Sequence, residues 1–122
     1  MAAWDKQAIL DLAPMTDVFG AIDEDAKAAL EVFLTSTRPL LASIQMKLFA
    51  GDLSGAADAA HSAKGAANVS GAFRLGGLCA EVCAQLQEGH LAQAQSLLAL
   101  LPDAFNDVQA AIKWLAIDRP LS

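Results

Sequence analysis

The chain has 122 residues, 55% of them hydrophobic and 18% charged, and its formal net charge at pH 7 is −6. This length fits a single domain over residues 1–122, and the composition excludes a disordered chain. The acidic balance argues against nucleic-acid binding, which needs a basic surface. No apolar run approaches the roughly 20 residues of a membrane span, and no signal peptide is evident, so we expect a cytoplasmic protein with no membrane insertion.

The amino-acid counts favour an all-α fold. There are 27 alanines and 18 leucines, but only 5 valines, 5 isoleucines and 3 threonines. Alanine and leucine are strong helix formers, whereas the scarce β-branched residues favour strands. Glycines and prolines divide the chain into helices with short connections, which makes successive helices antiparallel neighbours. The sequence therefore predicts an antiparallel up-down four-helix bundle with a short extra helix at the N-terminus.

The first two predicted helices are marked by acids, prolines and glycines. A short helix is expected over about residues 5–12, ending before Pro14. A second begins near Asp23, where carboxylates in the first turn complement the helix dipole, and it ends at Gly51. Pro39 lies inside this helix and should kink it or remove a hydrogen bond.

Three further helices complete the prediction. The third is expected over about residues 53–70 with Asp52 as N-cap, and the fourth over about 72–88. The fifth is expected over about 91–117 with a bend at Pro102.

The cysteines and histidines offer no metal site. Cys79 and Cys83 stand four residues apart, so they share a helix face where a disulfide is awkward, and we expect both to be buried as small hydrophobes. The two histidines stand in no Cys-x-x-Cys or Glu-x-x-His pattern. We therefore expect no metal, haem or other cofactor. His90 follows a glycine and is interpreted as a loop residue, while Trp4 and Trp114 are expected to pack near the chain ends.

The third helix has two different faces. At about 100° per residue, the side opposite His61 consists almost entirely of alanine, which favours burial of that side. The residues within about 60° of His61 are Ser54, Ala57, Asp58, Lys64, Gly65 and Asn68. His61 is thus expected to face solvent, either as an idle surface residue or as a functional one.

Two neighbours of His61 also have a functional and an ordinary interpretation. Gly65 costs an interior helix about 1 kcal/mol relative to alanine. The cost is explained if another molecule must approach closely beside the imidazole. Alternatively, Gly65 merely weakens the helix or packs against a neighbouring helix. Lys64 can place an ammonium beside an anion held on the ring, or it can be a solvated lysine paired with Asp58.

The sequence from His61 to Ala72, His-Ser-Ala-Lys-Gly-Ala-Ala-Asn-Val-Ser-Gly-Ala, resembles the His-x-x-Lys-Gly…Gly-Ala signature of histidine-containing phosphotransfer (HPt) domains. Leu75, Leu78 and Cys79 are similar to the Leu-x-x-Leu-Cys stretch of the next helix in that family. The resemblance spans about residues 8–116. It departs from the family at Gly76-Gly77, a weak pair for a helix start, and at Cys83, where members often carry a polar side chain.

The resemblance implies a phosphorelay intermediate, which is not an enzyme and has no nucleotide site. His61 would accept a phosphoryl group from a receiver-domain aspartate and pass it to another receiver, with Lys64 and Gly65 beside the phosphate. Mg²⁺ would come from the receiver, because the chain offers no carboxylate cluster of its own. An exposed imidazole suits this role, because at pH 7 it is mostly neutral and keeps a lone pair on one nitrogen.

The expected partners are response-regulator receiver domains or a hybrid sensor histidine kinase, bound by a monomer. Docking is expected on the face that contains Ala57, Asp58, Gly65 and Asn68, extended by Thr35 and Arg38 of the second helix. The alternative function is a degenerate HPt-like adaptor that binds a receiver or kinase without carrying phosphate.

Overall fold

The computed structural model describes residues 4–116, and this part of the chain is helical without any strand. The elements in chain order are a 3-10 turn over Trp4–Lys6, α1 (Ala13–Phe19), α2 (Glu24–Phe49), α3 (Leu53–Val69), α4 (Phe73–Gln87), α5 (Leu91–Leu98) and α6 (Leu101–Ala116). The all-α prediction is confirmed. Within the described range, no helix is long and apolar enough to span a membrane.

Helices α2, α3 and α4, together with the α5–α6 pair, form a four-helix bundle. Contacts run from α2 to α3, from α3 to α4, from α4 to α5 and α6, and from α6 back to α2. Helices α3 and α4 are antiparallel, because Cys83 near the end of α4 contacts Ala57 near the start of α3, while Gly76 faces Asn68 at the other end. The core between the helices is one continuous cluster, whose largest fully buried side chains include Leu30, Ile44, Leu75, Leu78 and Ile112.

The predicted starts of α2 and α3 are confirmed by their caps. The Asp23 carboxylate accepts a hydrogen bond from the Ala26 N–H at 3.0 Å, and the Asp52 carboxylate accepts one from the Gly55 N–H at 2.8 Å. Each cap satisfies a backbone donor that has no partner within its helix. Helix α2 continues on both sides of Pro39, whose missing N–H deprives a carbonyl one turn earlier of its usual helical donor.

The prediction of a first helix over residues 5–12 is wrong. Pro14 does not end a helix but lies in the first turn of α1. Proline is well suited to that position, because the N–H it lacks would have no helical acceptor there. The segment before α1 contains only the 3-10 turn Trp4–Lys6.

The predicted fifth helix is two helices. The chain leaves the helix after Leu98 and resumes it at Leu101, with Pro102 as the second residue of α6. Here too the proline belongs to a first turn and not to a bend inside a continuous helix. Ile117, the expected end of this helix, lies outside the described residues.

The N-terminal segment, residues 4–11, is held against the turn between α3 and α4. The Asp11 N–H donates to the Gly71 carbonyl at 2.8 Å, and the Arg74 N–H donates to the Ala8 carbonyl at 2.9 Å. Gly71 has φ 85°, and a Cβ at this position would collide with the Asp11 carbonyl oxygen. Glycine at position 71 therefore permits both the turn and the contact.

Candidate functional site

His61 lies in the middle of α3, and its side chain is exposed. Among residues 4–116, no hydrogen-bond or ion-pair partner contacts the imidazole ring. The outward orientation follows from the opposite face of α3, where Ala56, Ala59, Ala60, Ala63 and Ala67 are buried. The predicted burial of the alanine face is confirmed, and His61 on the other side of α3 is exposed to an incoming molecule.

Lys64 lies one turn after His61 and is half-buried. Within the described chain, its ammonium has no carboxylate within 4.0 Å, so the pairing with Asp58 does not form. A lysine can bury its aliphatic stem against the helix surface and still present its charge at the tip. The Lys64 charge is therefore available to an anion placed on the neighbouring imidazole.

Gly65 is exposed one turn after His61. A Cβ built at this position would meet no other heavy atom within 4 Å. This excludes the interpretation that Gly65 is needed to pack against a neighbouring helix. The surface of the described chain beside the imidazole is therefore open at this position.

The expected docking residues divide into exposed and buried ones. Asp58 and Asn68 are exposed on the face around His61. Ala57 is only 6% exposed, so the expectation that its side chain contributes to the docking face is wrong. It lies at the contact between α3 and α4, where its carbonyl accepts a hydrogen bond from the Cys83 thiol at 3.4 Å.

Thr35 and Arg38 do not extend the face around His61. Both line a groove between α2 and α6 together with Gln109, and the Arg38 guanidinium lies 5.3 Å from the centroid of the Phe105 ring. The expectation failed because the sequence of α2 alone does not show which of its sides faces α6 and which faces α3.

Both cysteines are free and buried, as predicted. Burial, with a smaller contribution from the neighbouring Cys83, raises the pKa of Cys79 from 9.0 to about 12. The Cys79 thiol therefore stays protonated and is a poor nucleophile at neutral pH. The Cys83 thiol contacts the backbone one turn before His61 and not the imidazole.

His90 and the two tryptophans lie on other elements than α3. His90 directly precedes α5, with its Nδ1 2.9 Å from Gln85 Oε1, which confirms its position in a turn. Trp4 packs against α4 in the N-terminal segment, whereas Trp114 is 55% exposed on α6.

Sequence reasoning missed the role of the Gly76-Gly77 pair. A Cβ at position 76 would overlap the side-chain oxygen of Asn68, and a Cβ at position 77 would lie 2.7 Å from the Cβ of Trp4. The pair thus allows Asn68 and the N-terminal segment to lie close against α4. The signal in the sequence was present, since two adjacent glycines inside a helix are costly and need a packing reason.

The site combines an accessible imidazole, a cation one turn away and an open backbone surface. In the described part of the chain, no three His, Cys, Asp or Glu side chains gather as metal ligands. A neutral imidazole can act as a nucleophile, and an adjacent ammonium can neutralise an anion bound to it. The arrangement is suited to holding a small anionic group covalently on the ring, in reach of a second protein.

One of three comparisons with known proteins finds a match. No curated protein and no solved structure shows significant similarity to the chain. The family model for the Hpt domain matches residues 28–111, which run from the first turns of α2 into α6 and include His61. The chain therefore belongs to the Hpt domain family, whose members take part in phosphotransfer in two-component signalling.

Proposed function

We propose that His61 accepts a phosphoryl group from the phosphorylated aspartate of one receiver domain and passes it to the aspartate of another. The observation that carries this proposal is the exposed His61 ring, which has no partner within residues 4–116 although it lies in the middle of a well-packed helix. No hydrogen bond or ion pair within the described chain involves this imidazole, and phosphotransfer, the activity of the family, would give it an external partner.

The transfer is a nucleophilic displacement at phosphorus. A lone pair on a ring nitrogen of His61 attacks the phosphorus of the aspartyl phosphate. The N–P bond forms as the P–O bond to the carboxyl oxygen breaks, and the aspartate leaves as a carboxylate with the bonding electron pair. The other ring nitrogen keeps its proton. The second transfer runs the same step in reverse onto another receiver.

Positioning and charge neutralisation account for most of the catalysis of phosphoryl transfer. Lys64 would place its ammonium beside the phosphoryl oxygens, and Gly65 would leave room for the receiver to approach. Asp58 and Asn68 would contact the docked receiver. The divalent cation would come with the receiver, and the protein would act as a monomer in the cytoplasm without a cofactor of its own.

The alternative is an adaptor that binds a receiver or kinase without carrying phosphate. It requires the same exposed face but not a reactive imidazole. The intact combination of His61, Lys64 and Gly65 favours the phosphorelay function, because binding alone requires neither a nucleophile nor a cation beside it.

The test is transfer of radiolabelled phosphate from a receiver charged on its aspartate. Wild-type protein should take up the label, and His61→Gln should take up none. His90→Gln is the matched control, because it removes the other histidine, which is also exposed and lies in the turn before α5. This control should be labelled as fast as wild type.

Two outcomes would contradict the proposal. Label on His61→Gln at the wild-type rate would place the phosphate elsewhere. Binding of receivers by wild-type protein without any uptake of label, across all receivers of the source organism, would favour the adaptor.

A further inference from the structure

A groove of about 560 Å³ lies between the N-terminal segment and the contact line of α3 and α4. We call it the N-terminal groove, and its lining includes Trp4, Gln7, Asn68, Phe73, Gly77 and Glu81. Its walls combine two aromatic rings, two side-chain amides and one carboxylate. It is therefore neither a purely apolar patch nor a cluster of like charges.

The groove adjoins the face that contains His61. Asn68 follows His61 by seven residues, which is two helical turns, and so lies on the same side of α3 about 10 Å along the axis. The antiparallel contacts of Ala57 with Cys83 and of Asn68 with Gly76 place Glu81 level with the middle of α3. A protein seated on His61 would therefore cover the groove as well.

Hydrogen bonds and close packing hold the N-terminal segment against α4 and so fix the walls of the groove. Besides the two backbone hydrogen bonds of residues 8 and 11, Arg74 Nε donates to the Gln7 carbonyl at 3.1 Å. Gly76 and Gly77 each cost α4 about 1 kcal/mol relative to alanine. Alanine at either position would drive a Cβ into Asn68 or Trp4, so the glycines preserve the present shape of the groove.

The carboxylate in the groove has no partner of its own. Glu81 is half-buried, and in the described part of the chain no cation lies within 4.0 Å of it. The cations on the surrounding elements are Lys6, Lys64 and Arg74, and none forms an ion pair with Glu81. A half-buried carboxylate beside aromatic rings suits a side chain with a long apolar stem and a positive tip.

We propose that the N-terminal groove takes a lysine or arginine side chain of the receiver that docks on His61. This inference rests on the proposed phosphotransfer function and extends it to the specificity of the partner. Some receivers carry a basic side chain that reaches the N-terminal groove when their phosphorylated aspartate lies at His61. These receivers are bound in preference to receivers without such a side chain.

The test compares Glu81→Gln with Glu31→Gln, because both remove one negative charge. Glu31 is exposed and lines the groove between α2 and α6. The dissociation constant for the receiver is measured by titration at two salt concentrations. Glu81→Gln should raise it about threefold to fivefold at low salt and less at high salt, as expected for loss of a partly screened ion pair. Glu31→Gln should leave it unchanged.

Equal dissociation constants for wild type and Glu81→Gln would overturn the inference. Equal weakening of receiver binding by Glu81→Gln and Glu31→Gln would also overturn the inference, because it would reflect a long-range effect of net charge. Phosphate transfer is measured in the same samples and tests the function of His61 independently. The phosphotransfer function of His61 therefore stands even if the groove does not bind a basic side chain.

Discussion

At position 65, helix α3 carries a glycine where alanine would make a more stable helix. A Cβ added here would meet no heavy atom of the described chain within 4 Å, and under the proposed function it would project toward the docked receiver. Gly65→Ala should raise the free energy of unfolding by about 1 kcal/mol in urea titrations. Gly65→Gln should keep the helical circular-dichroism spectrum but slow phosphate transfer at least tenfold, because the larger side chain blocks the approach of the receiver. A wild-type transfer rate in Gly65→Gln would contradict the role given to this glycine.

The residue pattern of α3 predicted much of the site. The position of His61 opposite a face of alanines predicted its exposure, and the isolated glycine predicted the open surface beside it. The pattern failed at Ala57, which lies within about 60° of His61 but is buried under α4. A helical wheel gives the angle of a residue on its own helix, but not the position of the helix that covers it.

At the scale of the elements, the N-cap of α3 supports the helix that presents His61. Asp52→Ala removes the carboxylate that accepts from the Gly55 N–H and should lower the free energy of unfolding by about 1 kcal/mol. Asp52→Asn keeps a side-chain acceptor and should retain most of that stability. Chemical denaturation of the three proteins checks this expectation. Equal destabilisation by both substitutions would show that the negative charge, and not the cap, stabilises α3.

Element prediction succeeded where the local chemistry allows only one interpretation. Asp23 and Asp52 cap the predicted starts of α2 and α3. It failed at Pro14 and Pro102, which were interpreted as a stop and a bend but stand in first turns. Proline is compatible with both situations, and the choice depends on tertiary contacts that the local sequence does not contain.

At the scale of the whole molecule, composition predicted the helical bundle, but not the attachment of its N-terminal segment. That attachment depends on Gly71 and Gly77, which contact residues more than 50 positions earlier in the chain. The cost of adjacent glycines in a helix was visible, but the partner that requires them was not. The N-terminal groove was therefore beyond sequence reasoning, whereas the face of His61 was not.

Because the Cys79 thiol is buried, the stability of the whole bundle should decrease at alkaline pH. Burial raises the pKa of this thiol from 9.0 to about 12, so the folded protein holds the proton more tightly than the unfolded chain. Its contribution to stability is complete below about pH 9 and is lost as pH rises toward 12, by at most about 1.4 kcal/mol per pH unit. Urea unfolding of wild type and Cys79→Ala across this range should show a shallower decline in the variant. Identical declines would contradict the assignment.

The chemical location of the phosphoryl group tests the central claim most directly. Wild-type protein is charged by a phosphorylated receiver, freed from it, and studied by ³¹P–¹H correlation spectroscopy with assigned imidazole resonances. We expect one phosphorus signal, correlated with the ring protons of His61 and not with those of His90. A phosphorus signal correlated with His90, or with no histidine ring at all, would contradict the account.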